Sequence, residues 1–252
     1  WAVRATINNG TIFMSRVSHD GTEVREQVYG RTAVSGISPM VDAAITLHEE
    51  RPAVCFWKAT TRSLFAVIRG PDGQWVAEEI IDRDVSGEDC EIASVNGQLL
   101  VAYRDQGALW LARRVGVDQW RRDAIDSPDG RDVGRDLQMA VYQGAIYIAH
   151  QDTDRQQLRV TSRVNGAWHT LAVQADGPQG YRPAIRVNEE WIYVLHGEAP
   201  QVPDIGGDSA IYFTEIRRAD SDDRRTSLLI GASVGGGQAL MAYGDGLLGF
   251  FR

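Results

Sequence analysis

Residues 89 to 182 contain one unit written twice. The first copy, DCEIASVNGQLLVAYRDQGALWLARRVGVDQWRRDAIDSPDGRDVGR, is matched position by position by DLQMAVYQGAIYIAHQDTDRQQLRVTSRVNGAWHTLAVQADGPQGYR. Self-similarity at a period of roughly 47 residues, with about four short apolar runs per period, predicts stacked small antiparallel sheets, which is a β-propeller. Within each copy two alternating runs meet at a tight turn (Asn96-Gly97, Gln143-Gly144), and two more follow after a loop. Asn-Gly between apolar runs is a strong hairpin signal.

The repeat extends to both ends of the chain. Residues 11 to 28 read as the two outer strands of a unit whose inner strands are missing at that end, and residues 238 to 252 (QALMAYGDGLLGFFR) read as an inner pair. Counting them together with the units at 42–88, 89–135, 136–181 and 182–237 gives five four-stranded blades in a single domain, 1–252, its ring closed by N- and C-terminal strands sharing one blade. Such closure leaves no sheet edge exposed. Residues 1–5 and 247–252 compete for one strand position, and the sequence does not decide between them. Trp75, Trp120 and Trp168 fall at equivalent places and are expected to be buried between blades.

Composition narrows the function. The net charge of −8 and the scatter of arginines among carboxylates exclude a phosphate-backbone partner, so no nucleic acid is expected. No apolar run approaches the roughly 18 residues of a membrane span, and the opening WAVRATINNG does not read as a leader. Cys55 and Cys90 form no disulfide framework and lack metal-ligand spacing, so they are expected to be free, buried thiols, and no metal or cofactor is implied. Localisation and oligomeric state are left open. Of 26 basic residues only Lys58 is a lysine, leaving 26 − 1 = 25 arginines.

The pattern WxxxxIDSxDGxDVGRxLxMAV over Trp120–Val141, preceded by AYRDQGALWLARR, resembles a bacterial β-propeller repeat of the kind found in lectins, glycosidases and lyases. GPDGQW and HDGTEV also resemble the Asp-box hairpins of sialidases, without the full motif. The resemblance implies the fold, and it carries over no catalytic residue.

Aligning the units places Asp42, Cys90, Asp136, Arg182 and Gln238 in one column at the start of the innermost strand. A second column, at the end of the next strand, holds Trp57, Tyr103, His150, His196 and Phe251, followed by Lys58, Arg104, Gln151, Gly197 and Arg252. Both columns belong to the mouth of the channel, where the units stop repeating one another. Asp42 and Asp136 are the candidate catalytic acid/base pair, with burial and mutual repulsion splitting their pKa values. Lys58, Cys90, Tyr103, Arg104, His150, Arg182 and His196 are the candidate ligand-binding residues, Arg182 as an anchor for an anionic group. The insertion at 199–209 would form a lip beside them. The expected partner is a small polar molecule or glycan, handled by glycosidase- or lyase-like chemistry. A lectin-like module or a protein-interaction scaffold without catalysis is the alternative. The acids two residues after Tyr103, His150 and His196 (Asp105, Asp152, Glu198) are expected to bond loop amides, and the two histidines to replace an aromatic packing residue.

Overall fold

A computed structural model describes residues 2–8, 11–30, 40–82, 85, 89–164, 166–173, 179–198, 210–230, 238–243 and 246–251. All of the regular structure among them is β, and every strand pairs antiparallel with its sequence neighbour. Four sheets are four-stranded meanders. The first runs β4 (Met40–His48), β5 (Arg51–Lys58), β6 (Ser63–Arg69) and β7 (Trp75–Ile81), and the second runs β8 (Cys90–Val95), β9 (Gln98–Asp105), β10 (Ala108–Gly116) and β11 (Gln119–Asp126). The third is β12 (Val133–Tyr142), β13 (Ala145–Asp152), β14 (Gln157–Val164) and β15 (Ala167–Ala172). The fourth is β16 (Tyr181–Val187), β17 (Trp191–Gly197), β18 (Ile211–Arg217) and β19 (Asp220–Ile230). A three-stranded sheet of β1 (Ala2–Asn8), β2 (Thr11–Val17) and β3 (Glu23–Tyr29) precedes them, and a hairpin of β20 (Gln238–Tyr243) and β21 (Gly246–Phe251) follows. This is the strand inventory of a five-bladed β-propeller.

The N-terminal ambiguity resolves locally. Ala2–Asn8 pairs with Thr11–Val17 in unbroken register, from Ala2 opposite Val17 to Asn8 opposite Thr11. The hairpins follow their turn chemistry: Asn96-Gly97 and Gln143-Gly144 both carry positive φ, the conformation that a two-residue turn needs to match the strand twist. At the Asp-box-like turns an aspartate closes the loop on itself, Asp20 Oδ1 accepting from Thr22 N–H at 3.0 Å and Asp72 Oδ1 from Gln74 N–H at 3.0 Å.

The chain divides into two compact units, Trp1–Ala124 and Ile125–Arg252. In the first, apolar faces of neighbouring sheets merge into a cluster that includes Ala53, Trp57, Ala66, Leu99, Val101 and Ala112. Leu64 and Leu99, each at most 1% exposed, are among its fully buried side chains, worth about 2 kcal/mol apiece. In the second, Ala149, Leu158, Ile185 and Val194 do the same for β13, β14, β16 and β17.

One expectation is corrected here. Cys55 and Cys90 are not free thiols: they form a disulfide, at Cα positions 6.5 Å apart. The spacing of 35 residues gave no pattern to read, because sheet stacking and not sequence proximity brings β5 to β8. Trp75, Trp120 and Trp168 are largely though not fully buried, and Trp75 and Trp120 pack against the apolar clusters between neighbouring sheets, as expected. Trp75 and Trp120 also reach back to the outer strand of the preceding sheet and donate their indole N–H, Trp75 to Glu26 at 2.8 Å and Trp120 to Glu78 at 3.2 Å. An arginine of the same sheet accompanies each tryptophan: Arg69 lies 3.4 Å from Glu26, and Arg114 grips the buried Glu78 through Nε at 2.8 Å and through Nη2. The sheets β4–β7 and β8–β11 are therefore each fastened to the one before by a polar clamp at the rim.

Candidate functional site

The column at the start of the innermost strands is a column of β-bulges. In β12 the register passes from Arg135 opposite Gln151 to Gln138 opposite Ala149, so Asp136 and Leu137 together face His150. In β16 it passes from Tyr181 opposite Gly197 to Ala184 opposite Leu195, so Arg182 and Pro183 together face His196. β4 has the same feature, with Asp42 inserted between Val41 and Ala43. The sheet β8–β11 has none: Cys90 pairs directly with Tyr103.

At the two bulges of the second unit the backbone is left-handed, with φ of +50° at Asp136 and +44° at Arg182. Every other non-glycine residue with positive φ among the described residues sits in a turn between strands, so these two are exceptional in lying inside a strand. A left-handed bulge position is ordinarily filled by glycine, which adopts it at no steric cost. An L-residue pays about 1–2 kcal/mol for that conformation, and Asp tolerates it better than Arg does. Asp136 is half-buried and Arg182 is exposed, its guanidinium carbon 5.2 Å from the Tyr181 ring.

Opposite each bulge the histidine is locked into its sheet. Gly134 N–H donates to His150 Nδ1 at 3.2 Å, and His150 Nε2 lies 2.9 Å from Thr161 Oγ1, which is 2.8 Å from Thr170 Oγ1. The next sheet repeats the ladder: Gly180 N–H to His196 Nδ1 at 3.4 Å, Nε2 to Thr214 Oγ1 at 2.9 Å, and on to Thr226 Oγ1 at 2.9 Å. Because Nδ1 accepts from a backbone N–H, the ring proton is on Nε2, which donates to the threonine. Both rings are 0% exposed. Burial pushes His150 down to about 4 and His196 to about 3, so both stay neutral. With both nitrogens engaged inside the sheet, neither ring offers one to a ligand in this geometry. The reading of these histidines as replacements for a packing aromatic fits: in the first unit Tyr103 and Trp57 hold the same place, and alanines (Ala112, Ala66) stand where Thr161 and Thr214 do.

The other candidates divide by unit. In the first, Cys90 is sealed in the disulfide and brings no thiol to a site. Tyr103 is buried, which raises its pKa, and its hydroxyl is hydrogen-bonded by Arg122. Lys58 is half-buried at the end of β5 with Nζ 5.8 Å from the Phe65 ring, and Arg104 is half-buried near the end of β9, opposite Leu109. Asp42 is placed by its strand alone. In the second unit the structure brings Asp136 and Arg182 to corresponding positions on the neighbouring inner strands β12 and β16, which are also joined by Ile185 N–H donating to Gln138 Oε1 at 3.0 Å. The insertion at 199–209, Phe251 as a side chain and Arg252 lie outside the described residues.

One charged cluster escaped the sequence reading. Asp126 takes both Nε (2.6 Å) and Nη2 (2.9 Å) of Arg159, while Asp152, 0% exposed, takes Arg131 Nη1 at 3.0 Å and the Arg155 N–H at 3.1 Å. Arg159 Nη1 is also 3.7 Å from Asp152, and His150 Nε2 is 3.5 Å from Asp126. Two carboxylates meet two guanidiniums, so the cluster is balanced and serves to pin the β11–β12 connection onto the third sheet. Asp152 thus bonds a loop amide as expected. The signal that could have exposed the bulges is local: Gly-x-Asp in Gly134–Asp136 and Gly-x-Arg in Gly180–Arg182, each 16 residues before its histidine as counted from the glycine. Among the described residues no cluster of three or more His, Cys, Asp or Glu is placed to hold a metal.

No family model and no curated relative matches the chain. Solved structures do match at low identity. A GH43 β-1,3-galactosidase in complex with galactodeoxynojirimycin is similar at 10% identity over 94% of this chain and 88% of its own, with a TM-score of 0.55. The Aleuria aurantia lectin bound to Fucα1-6GlcNAc is similar at 13% identity over 97% and 81%, with a TM-score of 0.59. AofleA from Arthrobotrys oligospora is similar at 12% identity over 100% and 80%, with a TM-score of 0.56. At such identities the likeness carries the fold.

Proposed function

We propose that the chain is a carbohydrate-handling propeller whose ligand groups are the bulge residues of its inner strands, Asp136 as the carboxylate and Arg182 as the guanidinium. The observation that carries this reading is the left-handed backbone at these two positions. Glycine would serve the bulge at lower cost, so an acid and an arginine kept there are kept for their side chains. In the catalytic form of the reading Asp136 transfers a proton in a glycosidase- or lyase-type reaction, and Arg182 holds an anionic group of the sugar or stabilises developing charge. Asp42 occupies the bulge of its own sheet and is the further candidate carboxylate. That the fold is shared with a GH43 galactosidase supports sugar chemistry.

A second reading, a lectin-like binding module, is favoured by the recurrence of the bulge in three sheets and by the Aleuria aurantia lectin, which shares the fold. A panel of neutral and uronate-bearing oligosaccharides, screened for binding stoichiometry and for cleavage, separates the two. One site per chain with turnover supports the enzyme, and several equivalent sites without turnover support the lectin. The test of the residues is Asp136→Gly and Arg182→Gly: both variants keep or gain stability while binding or turnover falls at least tenfold. If both variants handle every ligand as the parent does, the bulges are not the site.

A further inference from the structure

The disulfide joins β5 of one sheet to the first residue of β8 in the next, so it is a cross-link between sheets within the first unit. Its surroundings are apolar and closed: Ala53, Trp57, Ala66, Ile92 and Leu99 belong to the same cluster, and the cysteines are 0% and 1% exposed. A regulatory disulfide has to be reached by an attacking thiolate, and reactive cysteines accordingly sit in partly exposed, electropositive surroundings. This one meets neither condition. Disulfides that persist are made in oxidising compartments, and the reducing cytosol keeps thiols free.

We propose that Cys55–Cys90 is a permanent staple, set during folding in an oxidising compartment, and that this chain therefore matures outside the reducing cytosol. The chemistry is thiol–disulfide exchange with a disulfide-bearing donor. The thiolate of one cysteine attacks the donor's S–S bond and releases one donor thiolate. The thiolate of the other cysteine then displaces the second donor sulfur, closing Cys55–Cys90 and leaving the donor as a dithiol. The two electrons and two protons lost by the cysteines end on the donor. Exchange precedes the docking of the two sheets, since in the folded chain both sulfurs are shut away. This inference stands apart from the sugar-handling reading and needs no ligand.

The test uses the full chain produced by two routes, exported to an oxidising compartment and retained in a reducing cytosol, each trapped with iodoacetamide. Exported protein is expected to show no reactive thiol, native or in urea, and both of its two cysteines only after reduction in urea. Millimolar dithiothreitol is expected to leave the native bond intact for hours and to cut it within minutes in urea. Two thiols appearing in urea without reductant would overturn the cross-link, and rapid reduction of the native protein would overturn the permanent staple. Against the parent, Cys55→Ala/Cys90→Ala is expected to raise the unfolding equilibrium constant by roughly a few hundredfold, the effect of opening a loop of this length. An unchanged constant counts against the staple. The thiol counts are made on the parent and stand even where the double variant does not fold.

Discussion

Replacing His150 with Tyr and Thr161 with Ala copies into the third sheet the arrangement that Tyr103 and Ala112 have in the second, and it removes one histidine that folding holds neutral. The folded pKa of His150 is about 4, against 6.5 for an ordinary imidazole, with burial as the leading cause. Between those values the unfolded chain binds a proton that the folded chain refuses. The stabilisation is therefore complete above pH 6.5, declines as pH falls below it, and is gone by about pH 4. A difference of roughly 2.5 units is on the order of 3 kcal/mol. His196, at about 3, adds a somewhat larger loss over a slightly wider window. Against a typical total of about 5–15 kcal/mol, two such groups make the fold acid-sensitive.

The assay is urea unfolding followed by tryptophan fluorescence at intervals from pH 7.5 to 4, on the parent and on His150→Tyr/Thr161→Ala. Carboxylates titrate in both proteins, so the informative quantity is the difference between the two curves. At pH 7.5 the variant is expected to be less stable by about 1–2 kcal/mol, because Gly134 N–H loses its acceptor. Toward pH 4 the parent loses roughly 3 kcal/mol more than the variant does, and the order of stability reverses. Parallel curves over the whole range would mean that the imidazole is charged or exposed in the folded chain, and the ladder argument would fail.

Glu78→Ala strands the Arg114 guanidinium and the Trp120 N–H at a buried rim and is expected to cost about 3 kcal/mol in chemical denaturation, with Glu78→Gln costing less; equal effects of the two would refute the ionic clamp. Asp126→Ala leaves Arg159 buried without its bidentate partner and is expected to cost about 3–5 kcal/mol, while Asp126→Ala/Arg159→Met recovers part of the loss. No recovery in thermal melts would show that the pair is not the source of the cost.

How much of this was legible follows from what each feature depends on. The blades were legible because strand alternation and turn residues are local: Asn96-Gly97 and Gln143-Gly144 turn where their sequence says they must. The tryptophans were correctly aligned with one another, but their glutamate partners lie 49 and 42 residues away on another sheet, so only burial was expected where a polar clamp exists. The disulfide was hidden for the same reason. The candidate column was read as aligned positions without its bulges, which arise from a mismatch in pairing count between two strands and are marked in the sequence only by the glycine two places before Asp136 and Arg182. The histidines were recognised as occupants of an aromatic position, yet the threonines on the third and fourth strands that make histidine possible there were not connected with them.

The two ladders also show how a repeated sheet can differ from its neighbour at a single side chain. In both sheets a glycine N–H caps the histidine Nδ1, Nε2–H donates a hydrogen bond to a threonine hydroxyl, and the residue two places after the glycine is left-handed. Everything in that frame is constant except the last residue, which is Asp136 in one sheet and Arg182 in the other. The frame fixes where the side chain starts, and the choice of residue sets its charge, so on the proposed reading one frame can serve different ligand groups. The two layers should then separate by experiment. Changes to the histidine and its threonines move stability and its pH dependence, whereas on the proposed reading Asp136→Gly and Arg182→Gly lower ligand handling and keep or raise stability. A His150 variant that kept its stability but lost ligand handling would break that separation and return the histidine to the site itself.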